Sequence, residues 1–530
     1  MDAVGEAEIL IAGLLVAVAG LSALARRLSV PYPIVLVIGG ALLGFVPGLP
    51  PVHLDPDVVL VVFLPPLLYG ASIYTNSNHL RKNLRGLTLN AVGLVLVTMC
   101  VVALAAHALI PGMPWEAAFV LGAIVSPTDP LAATTIMRRL DAPRRLVSSI
   151  EGEGLFNDAT ALVAYRVAVG AVVQGSFSLG HASLEFVLGA VAGVAIGLAV
   201  GWTVAAIRKR TSDTQVNVTI SLLTGYAAFV PADAVGASGV LATVTAGIYV
   251  GIVAPRILSA RTRLQSGFVW DILDFLVNAI LFVLIGLQLR TVVDGLPDYS
   301  AGTLIGYGLA VSAAVVLTRI GWFFTVPYLI RALDRRPAQR ARRVGAADRL
   351  VVAWSGMRGA VSLAVALALP LHTDAGADFP QRDLIVFLTF AVIFVTLVAQ
   401  GLSLPALIRR LGVGDAGADA DEELRARIVA ARAALAELDA LAGEDWPREE
   451  TVERLRRFYA YRERRFAARG GTIEDDGYEE RTLAYQRTLQ AVLRAQREAL
   501  LDMRSDGELS NEMMNRILRE LDLEESRLEI

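Results

Sequence analysis

A chain of 530 residues that is 55% apolar, with a mean hydropathy of +0.55, is too apolar for a soluble globular protein and fits a polytopic membrane protein. A net charge of -3 argues against nucleic acid as a partner, and the single cysteine, Cys100 in an apolar run, leaves no disulfide framework and no cysteine metal site. Charge is also segregated: up to about Leu411 it gathers in short loops, whereas from Asp415 to Ile530 nearly every helical turn carries Asp, Glu or Arg. The expected division is therefore a transmembrane domain over 1–410 and a cytosolic helical tail over 411–530, with the GVGDAGADADEE segment at the boundary.

The N-terminus carries Asp2, Glu6 and Glu8 instead of a basic region, so the first apolar run reads as a retained span and not a cleaved signal. Apolar runs bounded by Pro, Gly and charge predict thirteen spans, centred near residues 17, 40, 64, 98, 127, 160, 194, 222, 246, 277, 316, 360 and 395. Basic residues fall in every second loop, from Arg26/Arg27 and Arg81/Lys82/Arg85 to the Arg331–Arg349 cluster, while PGLPPVHLDPD, IPGMPWE, QGSFSLGH and PADAVG hold none. Basic loops mark the cytoplasmic side, which puts the N-terminus outside and the C-terminus inside. The odd number suggests six spans, a linker near residue 194 and six more entering from the opposite side, the inverted repeat of many secondary transporters.

The fifth span of each half supports that plan. In AAFVLGAIVSPTDPLAATTIM, Pro127 and Pro130 flank Thr128 and Asp129 and must interrupt the helix at mid-depth. Span 12, VVAWSGMRGAVSLAVALALP, has Gly356 and Gly359 around Arg358 in the matching place. Half-helix ends carry partial charges of roughly half a unit, and an acid in one break would complement a base in the other, so Asp129 is expected to pair with Arg358.

The sixth span, EGEGLFNDATALVAY over residues 151–165, puts Glu151, Glu153, Asn157 and Asp158 inside an apolar run without Pro. At about 1.5 Å per residue Asp158 lies roughly 20 Å from Arg145 and roughly 24 Å from Gln174, near the bilayer midplane. Ionisable groups at that depth face a bundle interior or a water-filled cavity and mark an ion or proton path. Glu151, nearest the basic end, reads as a structural ion pair, and Arg166, about 12 Å beyond Asp158, as an anchor reaching for the outer interface. Arg319 lies deep in the eleventh span and needs an acidic partner, for which Glu153 is the candidate. Trp202, Trp322 and Trp354 read as interface or packing residues.

The run EGEGLFNDATALVAY after SPTDP, followed by SGVLATVTAGIYVG, LTRIGWFF and GMRGAVSLAVALALP, resembles the bacterial NhaP-type sodium/proton antiporters, relatives of animal sodium/hydrogen exchangers, over roughly residues 8–410. The resemblance implies an all-α fold of thirteen helices with crossed broken helices at spans 5 and 12, in a homodimer with a mobile core and a static dimerisation domain. It also implies that Asp158, beside Asn157, takes sodium or a proton, that Thr128 is a cation ligand, and that Glu153 and Arg319 are a stabilising pair. One departure stands out: many relatives carry Ser after the glutamate, as EGESL, where this chain has Gly154.

The physical logic agrees with it. A dehydrated carboxylate holds either a proton or a hard cation near neutral pH, and competition for one site becomes exchange. Sodium favours oxygen ligands, here Asp158 and Thr128, with Asn157, Asp129 or carbonyls freed at the break nearby. One titrating carboxylate implies one proton for one cation, in an elevator-like cycle. No cofactor is expected beyond the transported sodium ion and proton, and no catalysis; the partners are monovalent cations, protons and the bilayer of a bacterial inner membrane. A potassium-preferring or broad antiporter is the close alternative, since residue types do not fix cavity size. A channel would need a ringed pore and filter, and a signalling role for the tail has no phosphate-binding motif behind it. The tail's LRARIVAARAALAELDALA and QAVLRAQREALLDM have helix-period apolar spacing with charged faces.

Overall fold

The computed structural model describes residues 3–47, 59–75, 77–175, 179–333, 344–414, 417–474 and 476–526. Residues 48–57 of the segment PGLPPVHLDPD, residues 176–178 of QGSFSLGH and residues 334–343 of the Arg331–Arg349 cluster lie outside the described residues. The described chain is helical, with one isolated bridge between His372 and Asp378, and forms two compact units, Met1–Gly414 and Asp415–Ile530.

Among the described residues of the first unit, eight helices are long and apolar enough to cross a membrane, and two more, Tyr32–Gly44 and Val61–Ile73, are apolar but shorter. Within this unit the helices sort into two groups. The first, a scaffold, holds α1 (Ala3–Leu28), α2 (Tyr32–Gly44), α3 (Leu64–Ile73), and then α9 (Leu179–Arg210), α10 (Thr214–Ala234), α11 (Gly239–Ile257) and α12 (Ala260–Asp294). The second, a bundle, holds α4 (Ser77–Thr88), α5 (Val95–Leu109), α6 (Trp115–Val125), α7 (Pro130–Arg139) and α8 (Arg144–Gln174) from the first half of the chain. From the second half it takes α13 (Ala301–Leu333), α14 (Ala346–Trp354), α15 (Ala360–Leu367), α16 (Arg382–Val395) and α17 (Gly401–Leu411).

Small residues set the scaffold's packing, as expected where lipid supplies no hydrophobic drive between helices. Gly193, Gly197 and Gly201 repeat every fourth residue on α9 and face Ser238, Ala242 and Ala246 of α11; a Cβ at Gly197 would come within 2.8 Å of the Thr245 Cβ. The bundle core is built from Val102, Val120, Leu121, Ile124, Ile385 and Leu388, and is largely closed to solvent. Between the two groups α8 carries Leu155 and Ala159 into an apolar seam with Leu64, Leu68, Phe229, Val240 and Val244 of the scaffold.

The second unit is a set of four helices: α18 (Ala418–Leu441), α19 (Glu449–Arg469), α20 (Tyr478–Ser505) and α21 (Asn511–Ser526). Ion pairs tie α18 to α19 through Arg432–Glu463 and Arg456–Asp439, each at 2.7 Å, and α20 to α21 through Arg497–Asp522 at 2.7 Å.

Candidate functional site

Two interrupted helices meet inside the bundle. Pro127 has no N–H with which to extend α6, and Pro130 sits at the first turn of α7, where a missing N–H costs nothing. Asp129 caps α7 by accepting from the Leu131 N–H at 2.9 Å. The second interruption runs from Ser355 to Gly359, between α14 and α15. The Asp129 N–H donates to the Met357 carbonyl at 2.8 Å, which bolts one break to the other.

Asp129 and Arg358 thus share this junction of the two breaks, yet among the described residues they form no ion pair, contrary to the pairing expected from the sequence. The Arg358 guanidinium is 1% exposed and donates to backbone carbonyls, that of Val125 at 3.0 Å and that of Gly356. The Val125 carbonyl is the last of α6, and that of Gly356 lies in the break two residues beyond the end of α14. The Asp129 carboxylate lies at the opposite ends: it caps α7 and abuts Gly359 at the start of α15, where any Cβ would collide with it. The reason is geometric as much as electrostatic. Each charge answers the partial charges of the helix termini beside it, and so has no need of the other.

One turn away on α8 a denser network forms. Glu153 and Arg319 are an ion pair, with side chains 3% and 1% exposed. The same carboxylate accepts from Thr128 Oγ1 and from Asn90 Nδ2, each at 3.2 Å. Asn157 donates through Nδ2 to Thr128 twice, to Oγ1 at 2.9 Å and to the carbonyl at 3.1 Å, which leaves its buried Oδ1 with no hydrogen-bond partner.

Asp158 differs from all of these. Successive residues on a helix point about 100° apart, so with Asn157 turned to Thr128, Asp158 faces a cavity of about 530 Å³ between bundle and scaffold. Among the described residues its carboxylate makes no ion pair and no side-chain hydrogen bond. Thr128 and Asp129 line the same cavity, which runs as far as Arg138 and Glu151. Asn157 is not part of the wall; it stands one layer behind, bracing Thr128. Gly154 does line the cavity, and a Cβ there would lie 2.7 Å from Cδ and Cγ of Pro130, so the proline ring fills the place that a side chain at this position would take.

The scaffold wall of the cavity carries Asp271, Asp274 and Asn278 from α12, with Asn278 donating to Asp274 Oδ1 at 3.0 Å. Sequence reasoning misses these, although positions 271, 274 and 278 share one helical face, a signal that an α-helical period shows. Trp322, expected at an interface or in packing, packs against Gly93 and also donates through Nε1 to Asn90 Oδ1 at 3.0 Å inside the site network. Trp354 donates to Ser403 Oγ at 2.9 Å, and Trp202 is 64% exposed. Glu151 pairs with Arg138 at 2.6 Å at the basic end, and Arg166 is exposed but pairs with Asp233 at 2.6 Å. Among the described residues no group of three or more His, Cys, Asp or Glu side chains is placed to hold a metal.

Residues 13–410 match the family model for the transmembrane part of sodium/hydrogen exchangers. A Mycobacterium tuberculosis protein named as an uncharacterized Na+/H+ exchanger is 37% identical over 526 residues, covering 98% of this chain and 96% of that protein. A Bacillus subtilis protein named as a sodium, potassium, lithium and rubidium/H+ antiporter is 33% identical over 390 residues, 71% of this chain and 58% of its own length. Among solved structures, the sodium proton antiporter MjNhaP1 of Methanocaldococcus jannaschii has the same fold at 18% identity, with a TM-score of 0.60 over 77% of this chain and 99% of its own.

Proposed function

This chain belongs to the sodium/hydrogen exchanger family, whose members are multi-pass membrane transporters rather than enzymes, and on that premise we propose that Asp158 is the shared binding site for sodium and the exchanged proton. The observation that carries the reading is the isolation of Asp158: a carboxylate at mid-helix, lining a cavity beside Thr128, with no counter-charge from the protein among the described residues. A hard cation would take oxygens from Asp158 and Thr128, with water completing its shell. Asn157 fixes Thr128, and Asp129 and Arg358 neutralise the helix ends around it. A proton on Asp158 would satisfy the same charge, so the two cargoes exclude one another.

The cavity reaches Arg138 in the last turn of α7, at the end of the helix that the basic-residue pattern puts at the cytoplasm, and the apolar seam around Leu155 and Ala159 flanks it. That arrangement fits an inward-facing state of an elevator-like cycle, in which the bundle carries its site past the scaffold and the apolar seam is the sliding surface. The proposed membrane topology has thirteen spans, counting α1, α10 and the broken pair α14–α15 with the eight long and two shorter apolar helices, and keeps the N-terminus outside and the tail of residues 411–530 in the cytosol. The chain would act as a homodimer in a bacterial inner membrane. One proton should exchange for one sodium or lithium ion.

A broader selectivity, including potassium, is the second reading. Two observations favour it: the substrates in the name of the Bacillus subtilis relative, and the Gly154 position, where no hydroxyl adds to the ligand set. Proteoliposomes loaded with a pH dye and challenged with Na, Li or K gradients test both readings. Saturable proton flux driven by sodium and lithium is expected, and Asp158→Asn should abolish it. Exchange near the parental rate by that variant would overturn the site.

A further inference from the structure

Four side chains that are not cavity ligands converge behind the proposed site. Asn90 lies in a π-helical turn, Leu89–Leu94, and its side chain is used at both ends: Oδ1 accepts from Trp322 Nε1 at 3.0 Å, and Nδ2 donates to Glu153 Oε2 at 3.2 Å. Glu153 Oε1 accepts from Arg319 and, at 3.2 Å, from Thr128 Oγ1. Arg319 and Trp322 are three residues apart and so share one face of α13. One holds the first carboxylate oxygen directly, and the other holds the second through Asn90. The indole is seated by Gly93, in the same π-helical turn, where a Cβ would lie 2.7 Å from Trp322 Cη2.

The consequence falls on a hydrogen atom. Thr128 has one hydroxyl proton, and it points at Glu153; its oxygen accepts from Asn157 Nδ2 at 2.9 Å. A second lone pair then remains for a cation, which requires an oxygen and is repelled by an O–H. If the Glu153 carboxylate rotated, the hydroxyl could turn its proton toward the cavity and cease to be a ligand. We infer that Trp322 and Asn90 are positioning residues for cation binding: they lock the rotation of Glu153, and through it the hydroxyl of Thr128, so that Thr128 presents oxygen to the ion. This inference rests on the proposed role of Asp158 and Thr128 and adds to it a reason for a tryptophan and an asparagine that touch no cargo.

The test is Trp322→Phe, which keeps the ring against Gly93 and removes the one N–H. In proteoliposomes the half-saturating sodium concentration should rise about 3- to 10-fold, the scale of one lost hydrogen bond, while the maximal rate stays within about twofold. A parental half-saturating concentration would overturn the inference. So would a fall in rate and thermal stability at unchanged half-saturation, because that is the signature of packing alone. Should Trp322→Phe fail to fold, Gly93→Ala displaces the indole without removing a polar group: a similar rise in half-saturating sodium supports the inference, and a parental value overturns it. Asp158→Asn, measured beside it, separates the two claims. Exchange by Asp158→Asn fells the site assignment, whereas a dead Asp158→Asn beside a parental Trp322→Phe fells only the role of Trp322 and Asn90.

Discussion

Replacing Glu153 by Gln should be among the most destabilising single changes in the first unit, and the structure sets the scale. The substitution keeps the shape but removes the charge that answers Arg319, whose side chain is 1% exposed. What is left for the guanidinium is the Val352 carbonyl at 3.2 Å and the face of Phe323, 5.1 Å away at its centroid, and neither supplies a negative charge. Stranding a buried charge costs about 3 to 5 kcal/mol. With about 2.1 cal/mol/K of unfolding entropy per residue over the unit Met1–Gly414, that loss lowers the apparent melting temperature by about 3 to 6 °C. Arg319→Gln should cost a similar amount, since it strands the carboxylate instead. The double variant should cost less than the sum, by about 0.5 to 3 kcal/mol of coupling. Thermal unfolding of all four proteins in one detergent, followed by tryptophan fluorescence, measures the cycle. Strict additivity, or a shift below about 1 °C for either single variant, would refute the claim that the pair carries buried charge.

Gly154→Ser should destabilise by about 1 to 3 kcal/mol, because its Cβ must displace the Pro130 ring at 2.7 Å, and its half-saturating sodium concentration should not fall; tighter sodium binding in the exchange assay would contradict this. Arg358→Gln should cost at least about 1.5 to 3 kcal/mol of thermal stability, since charge-assisted bonds to the last carbonyl of α6 and to the Gly356 carbonyl in the break are lost, and a parental melting temperature would count against those bonds. Exchange in proteoliposomes clamped at different potentials with potassium and valinomycin should change little, whereas movement of a net charge would bias the cycle by about 2.3 kcal/mol per 100 mV and refute one-for-one exchange.

What the sequence made legible was charge out of place. Asp158, Glu153 and Arg319 stand out because their neighbours along the chain are apolar, and the Pro and Gly residues at 127, 130, 356 and 359 mark interruptions by covalent geometry alone. The partners of Arg358 were not legible, because backbone carbonyls leave no mark in a sequence, and a charged partner is the natural expectation where a helix end is the answer. Asn90 and Trp322 are hidden for a different reason. Neither is charged, and the π-helical turn that brings Asn90 to Glu153 has no compositional signature. Asp271 and Asp274 do leave one, a shared helical face on α12, but their location on a wall of the cavity depends on how bundle and scaffold pack.

The charges of the crossing balance one at a time. Arg358 is met by the last carbonyl of α6 and by the Gly356 carbonyl in the second break, Asp129 by the N-terminal ends of α7 and α15, and Glu153 by Arg319. Each of these is settled within the bundle and would travel with it. Among the charges that the bundle brings to the cavity, with Arg138 and Glu151 paired to each other, Asp158 alone is left over; Asp271 and Asp274 on the facing wall belong to the scaffold. With Asp158 as the cargo site, a bundle in which these other charges are compensated would be costly to move through a low-dielectric seam only while Asp158 is bare. Either cargo removes that cost by the same single charge. Coupling in the proposed cycle would then need no communication between distant sites: the empty site would be held back by its own uncompensated charge, with the seam of Leu155, Ala159, Leu64 and Leu68 as the apolar barrier that makes the penalty count.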